Sequence, residues 1–308
     1  MTDHVLAIDL GKTGCRGSLR LDGQETRSAD TPGAPGLANA GGVEAAASAI
    51  GTVIDRLAAA DLTFSLFVGA AGAAAAPDAA ELLARQLTEI PGARAVAVTS
   101  DAVTAHAGAL GGAPGVVLAA GTGAVATAVD AAGRFTRTDG WGPLLGDEGG
   151  GAWIGVEGLR AALRAHDGRG PHTELAAKAA EHYAVRLDEL PKHLGQHVNP
   201  ALLAARFARV VAAAAATDDV AAAIMTAAGR ALAGTVLATI DRSGIAPPVP
   251  YAITGGLVHL GAALLDPLDA GIGDAVERRT ALGGPIDGAA LLAVDRSTAL
   301  EALVVRIT

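Results

Sequence analysis

Short apolar runs that end at a glycine alternate along this chain with longer segments of helical periodicity. The run over residues 4–10 is mainly apolar, which is typical of a buried strand, and a glycine-containing turn follows it. Residues 15–21 can return as a second strand, so we expect a hairpin here. The same pattern recurs over 116–120 and 124–130. Each half is therefore predicted to begin with a glycine-turned hairpin and to continue as alternating strands and helices, which indicates an α/β fold.

The remaining elements follow from the same periodicities. Further strands are predicted over residues 64–70, 93–99 and 249–254. Helices are predicted over residues 43–60, 77–89, 101–110, 150–166, 171–183 and 199–241, the last with a break near Thr217-Asp218. Glycine, proline and alanine dominate residues 30–42, which we interpret as a loop, and 111–115 is the predicted junction between two related lobes.

The composition excludes several classes of protein. The chain has 308 residues, enough for two lobes with sizeable cores. Its net charge of −9 makes nucleic acid and anionic membranes poor partners, so neither is expected. Cys15 is the only cysteine, which excludes a disulfide framework within the chain, a four-cysteine zinc site and a cysteine-ligated iron–sulfur cluster.

Signals for export or membrane insertion are weak. Residues 1–4 contain no basic region, so we expect no secretory signal. Residues 107–129 and 243–265 lack charge, but glycine or proline interrupts both stretches, and we interpret them as buried strand and turn segments. Together with the single cysteine, these features favour a cytoplasmic protein.

Two glycine turns, 11–14 and 121–123, are candidates for binding phosphate. Glycine lets backbone N–H groups approach phosphate oxygens closely, and Asp9 at the end of the first strand could hold a hydrated Mg2+ against them. A P-loop is excluded because Leu6 stands where that motif requires glycine. The second turn matches the dinucleotide fingerprint, but a strand and not a helix is predicted after it. An ordinary structural turn remains the alternative at both places.

A third candidate is the segment 139–151, where two adjacent carboxylates stand among glycines beside a tryptophan. Asp147 could accept hydrogen bonds from sugar hydroxyls, and Trp141 could cover an apolar sugar face. The alternative is that Asp147 and Glu148 only enrich the first turn of the helix predicted over 150–166.

Two further positions stand where a strand ends. Asp101 follows the strand 93–99, where its carboxylate could accept a proton from a hydroxyl, although a plain helix N-cap is equally consistent. The strand 249–254 ends in Thr254-Gly255-Gly256, where a flat ring such as adenine could lie against the backbone; a turn into a helix is the alternative.

The order of these segments resembles the superfamily of actin, the heat-shock chaperone ATPases and the sugar kinases. The resemblance covers nearly the whole chain. Residues 9–16 and 120–124 are similar to its two phosphate motifs, and residues 253–257 are similar to its adenosine motif. The helix opened by Asp101 and residues 283–289 are similar to its two connecting segments. It implies an α/β fold of two actin-like (ribonuclease H-like) lobes with an interlobe cleft that holds ATP. The implied lobes are residues 1–112 with 286–308, and 113–285.

Residues 140–149 narrow the resemblance, because they are very similar to the N-acetylglucosamine kinase branch of the BadF/BadG-type ATPases. In that branch the residue matching Asp101 is the catalytic base and the residue matching Asp147 binds the sugar. Residues 36–39 are similar to a loop in which the residue matching Asn39 binds the sugar. The single cysteine disfavours the electron-transfer members, and the position of Asp9 disfavours the repressor relatives, which carry a DNA-binding segment before the first phosphate motif.

The resemblance implies ATP-dependent phosphorylation of the 6-hydroxyl of an amino sugar. Similarity to small bacterial members favours D-glucosamine, and N-acetylglucosamine is the alternative. A non-catalytic ATP-switch protein on the same fold and a kinase for an unaminated hexose are the rival hypotheses. The resemblance also implies a homodimer.

The site residues predicted on this basis fall into three groups. Asp9 is expected to hold Mg2+ through water, and Asp101 is the expected catalytic base. ATP is expected to contact Gly11, Lys12, Thr13, Gly14, Gly121, Thr122, Gly123, Thr254, Gly255 and Gly256. The sugar is expected to contact Asn39, Asp101, Trp141, Asp147 and Glu148.

Overall fold

The computed structural model describes residues 4–59 and 62–307. These residues form two compact units. The first unit comprises residues 1–115, 129–135 and 279–308, and the second comprises residues 116–128 and 136–278. The short segment 129–135 belongs to the first unit because Val129 packs in that unit's core.

Strands and helices alternate in both units. In chain order the strands are β1 (His4–Leu10), β2 (Gly14–Leu21), β3 (Gln24–Pro32), β4 (Phe64–Ala70), β5 (Ala93–Ser100), β6 (Gly115–Ala120), β7 (Ala124–Val129), β8 (Phe135–Asp139), β9 (Val249–Thr254), β10 (Val276–Arg278) and β11 (Val305–Ile307). The helices are α1 (Gly42–Arg56), α2 (Pro77–Leu87), α3 (Asp101–Leu110), α4 (Gly151–His166), α5 (Leu175–Tyr183), α6 (Leu190–Gly195), α7 (Pro200–Ala214), α8 (Asp219–Ser243), α9 (Ala262–Ile272) and α10 (Pro285–Val294).

The first unit is a six-stranded mixed sheet covered by helices on both faces. The strand order is β11-β5-β4-β1-β2-β3, in which β1, β4 and β5 are parallel to one another. Side chains alternate along β1: Leu6 and Ile8 pack with α1 and α2, whereas Ala7 packs with α3 and α10. Burial on both faces explains why β1 reads as a nearly continuous apolar run.

The second unit has a five-stranded sheet in the order β10-β9-β6-β7-β8, with β9 parallel to both β6 and β10. One core joins this sheet to helices α4, α5, α7, α8 and α9. Its largest fully buried side chains include Tyr251 of β9 and Phe207 of α7. Because β6 and β9 are adjacent and parallel, the turns that follow them lie at the same edge of the sheet.

The structure adds elements that the hydrophobic pattern does not reveal. Residues 24–32 form the edge strand β3, where a loop was predicted from residue 30; most of its side chains are polar and exposed, so no apolar alternation marks it. The strands β8, β10 and β11 and the helices α6 and α10 were also not predicted, whereas a helix was expected after the turn 255–256 and α9 follows it. The helix predicted over 43–60 ends at Arg56, and residue 60 lies outside the described residues.

Helix α8 is the one helix among the described residues that is long and apolar enough to cross a bilayer. In its most apolar window 39% of the residues are buried inside the protein, and Met225, Leu232 and Val236 lie in the core of the second unit. A single helix of this kind is weak evidence for a membrane span, because core helices have the same composition.

Helices α4 and α7 pack closely at two glycines of α4. A Cβ atom at Gly155 would overlap the carbonyl oxygen of Ala204, and one at Gly158 would lie 2.5 Å from Cγ2 of Val211. These two glycines are three residues apart, so they share one face of α4. The resulting contact places α7 against the N-terminal part of α4.

We therefore expect Gly155→Ala to destabilise the second unit. The added methyl group forces the two helices apart, at a cost of about 1–3 kcal/mol. Urea unfolding followed by circular dichroism measures this loss. Gly234→Ala on α8 is the matched control, because no atom lies within 4 Å of its Cβ position; it should gain roughly 0.5–1 kcal/mol from better helix propensity. Equal unfolding midpoints for the two variants would contradict the packing described here.

Candidate functional site

The first glycine turn joins β1 to β2, as predicted. The amide of Gly11 donates a hydrogen bond to the carbonyl oxygen of Gly14 at 2.9 Å, which closes the hairpin. Lys12 and Thr13 are exposed at its tip. Asp9 lies just before the turn and is paired in register with Arg16 of β2. The predicted phosphate-binding residues of the first unit therefore form one exposed turn at the end of β1.

Asp9 and Asp101 lie at the same edge of the first sheet. Asp9 is near the carboxyl end of β1, and Asp101 directly follows β5, with β4 between these parallel strands. Burial, followed by the negative charge of Asp101, raises the pKa of Asp9 to about 6 from an ordinary value of 3.8. Two carboxylates in this arrangement are a favourable setting for a divalent cation, since oxygen ligands of negative charge are what Mg2+ prefers.

Asp101 is the first residue of α3 and not its cap. Ser100 is the N-cap, and its hydroxyl oxygen accepts a hydrogen bond from the amide of Val103 at 3.3 Å. The carboxylate of Asp101 accepts a hydrogen bond from the amide of Ala102 at 2.9 Å. Because Ser100 supplies the cap, the plain N-cap interpretation of Asp101 is wrong.

Asn39 lies in a turn that is attached to the end of β4. The amide of Leu37 donates to the carbonyl oxygen of Ala71 at 2.9 Å, and the amide of Asn39 donates to the carbonyl oxygen of Gly36 at 2.9 Å. The side chain of Asn39 is exposed. The structure therefore places Asn39 at the edge of the first sheet where the phosphate turn and Asp101 also lie.

The second glycine turn, 121–123, joins β6 to β7 and is held by the N-terminus of α4. The amides of Gly151 and Ala152 donate to the carbonyl oxygens of Gly121 and Thr122 at 2.9 and 2.8 Å. In a trans peptide the C=O and the next N–H point in opposite directions. The amides of Thr122 and Gly123 therefore point away from α4, which leaves them aimed outwards from the turn, as phosphate binding requires.

One carboxylate organises the segment 139–148. The side chain of Asp139 accepts hydrogen bonds from the amides of Trp141 (3.4 Å), Asp147 (2.8 Å) and Glu148 (3.1 Å). Sequence reasoning did not assign a role to Asp139. Its signal was the Asp-Gly pair that opens the segment, because aspartate tolerates the left-handed backbone seen here (φ 61°) and caps nearby amides.

Asp147 points towards the second glycine turn. Its carboxylate lies beside Gly123 and accepts a hydrogen bond from the amide of Gly142 at 3.2 Å. Burial raises its pKa. Helix α4 begins at Gly151 with no acidic residue in its first turn, so the interpretation of Asp147 and Glu148 as first-turn residues is wrong.

Trp141 and Glu148 occupy the exposed side of the same segment. Trp141 is 74% exposed, and the guanidinium of Arg137 lies 5.7 Å from its ring centre. Glu148 is exposed and lines a cavity of about 430 Å³ together with Asp139 and Trp141. Both predicted sugar-binding side chains are thus accessible.

The second unit contains a cavity of about 590 Å³ at the edge of the sheet where β6 and β9 end. Gly121 and Thr122 line one side, and Gly256 lines it from the turn after β9. Gly255 has a left-handed φ of 95°, and a Cβ there would overlap the carbonyl oxygen of Ala120. Thr254 ends β9 in register with Ala119 of β6. The predicted phosphate and adenosine segments of this unit therefore meet around one cavity of ligand size.

Sequence reasoning missed the opposite wall of this cavity. That wall comes from α5 and α7 and includes His182, Leu202, Ala205, Arg206 and Arg209. Arg206 and Arg209 are three residues apart and share a helix face, which is the one available signal. No spacing in the sequence shows that this face lies against the glycine turns, because the α4–α7 contact decides it.

Solved structures identify the class of fold. A candidate N-acetylglucosamine kinase from Chromobacterium violaceum superposes with a TM-score of 0.74 and 25% identity, covering 95% of this chain and 99% of that one. A ROK family glucokinase from Streptomyces griseus, in complex with glucose and AMPPNP, superposes with a TM-score of 0.59 at 20% identity, covering 94% and 98%. The chain therefore has the two-unit α/β fold of the actin-like ATPases and sugar kinases.

Two curated relatives match part of the chain. An N-acetylmuramic acid/N-acetylglucosamine kinase of Clostridium acetobutylicum is 39% identical over 80 residues, 26% of this chain and 26% of that protein. An N-acetyl-D-glucosamine kinase of Dictyostelium discoideum is 39% identical over 93 residues, 30% of this chain and 29% of that protein. The matched region thus spans between a quarter and a third of these relatives.

A family profile covers nearly the whole chain. The BadF/BadG/BcrA/BcrD ATPase family matches residues 6–293, and the chain belongs to this family. This confirms the resemblance stated from the order of the sequence motifs.

We expect Asp9→Asn to stabilise the protein at pH 8 and to have little effect near pH 4. The raised pKa means that the folded state holds the Asp9 proton more tightly than the unfolded chain does. The bound proton contributes its full amount to the free energy of unfolding below about pH 4, and this contribution is lost as the pH rises through about 6. The gain at pH 8 should be about 3 kcal/mol, at 1.36 kcal/mol per pH unit.

Urea unfolding of both proteins at pH 4, 6 and 8 tests this expectation. Asp55→Asn, which removes an exposed carboxylate on α1, is the control for the loss of one negative charge. A pH-independent difference for Asp9→Asn would show that burial and the neighbouring Asp101 do not perturb Asp9.

Proposed function

We propose that this protein is an ATP-dependent sugar kinase that phosphorylates the 6-hydroxyl of an amino sugar, with D-glucosamine as the first candidate. The observation that carries the proposal is the pair Asp9 and Asp101, placed at one sheet edge beside an exposed glycine turn. Family membership and the kinases named among the relatives support it. The C. violaceum structure supports it over the full length of the fold.

ATP is the proposed phosphoryl donor. The cavity of about 590 Å³ suits the nucleoside, with Gly256 and Leu257 on one side and Arg206 and Arg209 on the other. The outward amides of the turn 121–123 suit the phosphates. The exposed Lys12 and Thr13 add an ammonium group and a hydroxyl at the first turn. Mg2+ is the proposed ion at Asp9, where it neutralises charge on the phosphates.

Asp101 is the proposed general base. The sugar O6–H bond breaks as its proton passes to the Asp101 carboxylate, and O6 forms a bond to the γ-phosphorus. The bond from that phosphorus to the β–γ bridging oxygen breaks, and ADP leaves. In such a reaction most of the rate enhancement comes from positioning and charge neutralisation.

Asn39, Asp147, Glu148 and Trp141 are the proposed sugar contacts. The Asp147 carboxylate can accept hydrogen bonds from hydroxyls, and the exposed Trp141 ring can cover an apolar sugar face. Glu148 offers an exposed carboxylate in the same segment, which supports recognition of the glucosamine ammonium group. The names of the curated relatives favour the alternative, N-acetylglucosamine. A cytoplasmic homodimer completes the proposal.

The substrate is tested by sugar-dependent ADP release with Mg-ATP, using glucosamine, N-acetylglucosamine and glucose at equal concentrations. We expect the highest kcat/KM for glucosamine, because its ammonium group pairs with a carboxylate. A preference for N-acetylglucosamine keeps the kinase and replaces the proposed substrate by the alternative. Measurable ATP binding without stimulation by any sugar would instead favour an ATP-switch protein.

The general base is tested by Asp101→Ala. This variant should lose about 10²–10⁴-fold in kcat while still binding Mg-ATP, because the proton acceptor is gone and the nucleotide site is intact. Asp78→Ala is the matched control: Asp78 is also an aspartate in the first turn of a helix, α2, and is exposed. Near-normal turnover in Asp101→Ala would remove the base role from this residue.

A further inference from the structure

Residues 33–42, here called the bridging segment, connect the phosphate turn of the first unit to the turn that carries Asn39. The segment begins where β3 ends and finishes where α1 begins. It contains glycine at positions 33, 36, 41 and 42. Both of its ends are attached to neighbouring backbone.

The first attachment is to the phosphate turn. The last residue of β3, Pro32, is paired with Gly14. A Cβ at Gly33 would overlap the carbonyl oxygen of Gly11 and lie 2.5 Å from the amide nitrogen of Gly14 and 2.7 Å from the carbonyl carbon of Lys12. No flexible side chain stands among these three contacts, so nothing can rotate away. The amide of Ala34 also donates to the carbonyl oxygen of Gly11 at 3.2 Å.

The second attachment is to the end of β4. The amide of Leu37 donates to the carbonyl oxygen of Ala71. The amide of Gly42 donates to the carbonyl oxygen of Asn39 at 2.9 Å, which closes the Asn39 turn against α1. A Cβ at Gly42 would lie 2.6 Å from the carbonyl oxygen of Gly36, so the two ends of this turn are in backbone contact. The position of Asn39 is thus set by backbone on both sides.

We propose that the bridging segment couples the two ligands of the first unit, so that sugar bound at Asn39 tightens the binding of nucleotide phosphates at the turn 11–14. Gly33 is the positioning residue, because its missing side chain permits the contact with the turn. Coupling of binding is reciprocal, so nucleotide tightens sugar binding by the same factor. This inference rests on the proposed kinase function.

The experiment measures the Kd of Mg-AMPPNP by calorimetry, with and without saturating levels of the sugar that stimulates ADP release most. In the wild type, sugar should lower this Kd by about 5-fold or more, which is the usual range for coupled sites. In Gly33→Ala the ratio of the two Kd values should fall to about one, because the new methyl group separates the segment from the turn.

Gly51→Ala is the matched control. Gly51 lies in α1, and no atom lies within 4 Å of its Cβ position, so the same substitution adds a methyl group without a collision. This variant should keep the wild-type ratio. A ratio in Gly33→Ala equal to that of Gly51→Ala, or a ratio of one in the wild type, would overturn the inference.

A measurement on the unmodified protein covers the case in which Gly33→Ala does not fold. Sugar alone should slow hydrogen exchange of the backbone amides in residues 11–14, and unchanged exchange there with the sugar site saturated would overturn the coupling. Failure of the proposed function has a different signature, since no sugar would then stimulate ADP release by the wild type. Sugar-dependent turnover without coupling rejects the bridging role and leaves the kinase in place.

Discussion

The burial of the Asp9 carboxylate, with the negative charge of Asp101 nearby, is the constraint on which the candidate site of the first unit depends. Asp9 is partly buried near the negative charge of Asp101, and its pKa is raised as a result. Ionised Asp9 lowers the stability of the fold, so the surrounding structure must hold it in place. Three parallel strands with apolar side chains on both faces supply that support. A site that lowers the free energy of unfolding in this way is consistent with a site that binds a positive ion.

Backbone contacts, more than side-chain contacts, place the other candidate residues. The N-terminal amides of α4 hold the turn 121–123 by its carbonyl oxygens, and the backbone of the turn 11–14 contacts Gly33 directly. The segment with Trp141 and Asp147 is held by a side chain instead, because the amides of both residues donate hydrogen bonds to the Asp139 carboxylate. Glycine-rich turns of this kind hold polar groups in fixed directions at little cost in apolar surface.

Glycine also sets how closely two helices of the second unit approach each other. Helices α4 and α7 approach each other so closely at Gly155 that the backbone of Ala204 occupies the place of a Cβ atom there. This contact brings the α7 face with Arg206 and Arg209 to the cavity beside the turn 121–123. Small residues thus decide which surfaces of the second unit line the candidate nucleotide cavity.

The sequence by itself determined the α/β class, both glycine hairpins and the family, because apolar periodicity, turn residues and motif order are local properties. It also singled out Asp101 and Asp147, which stand beside recognisable strand ends and turns. Only the tertiary structure decided that Ser100 and not Asp101 caps α3. It also decided that the Asp139 carboxylate accepts hydrogen bonds from amides of its own segment, and that side chains of α7 line the cavity. The edge strand β3 was missed because its side chains are polar and exposed. These features depend on partners distant in the chain or on backbone geometry, to which hydrophobic patterning is insensitive.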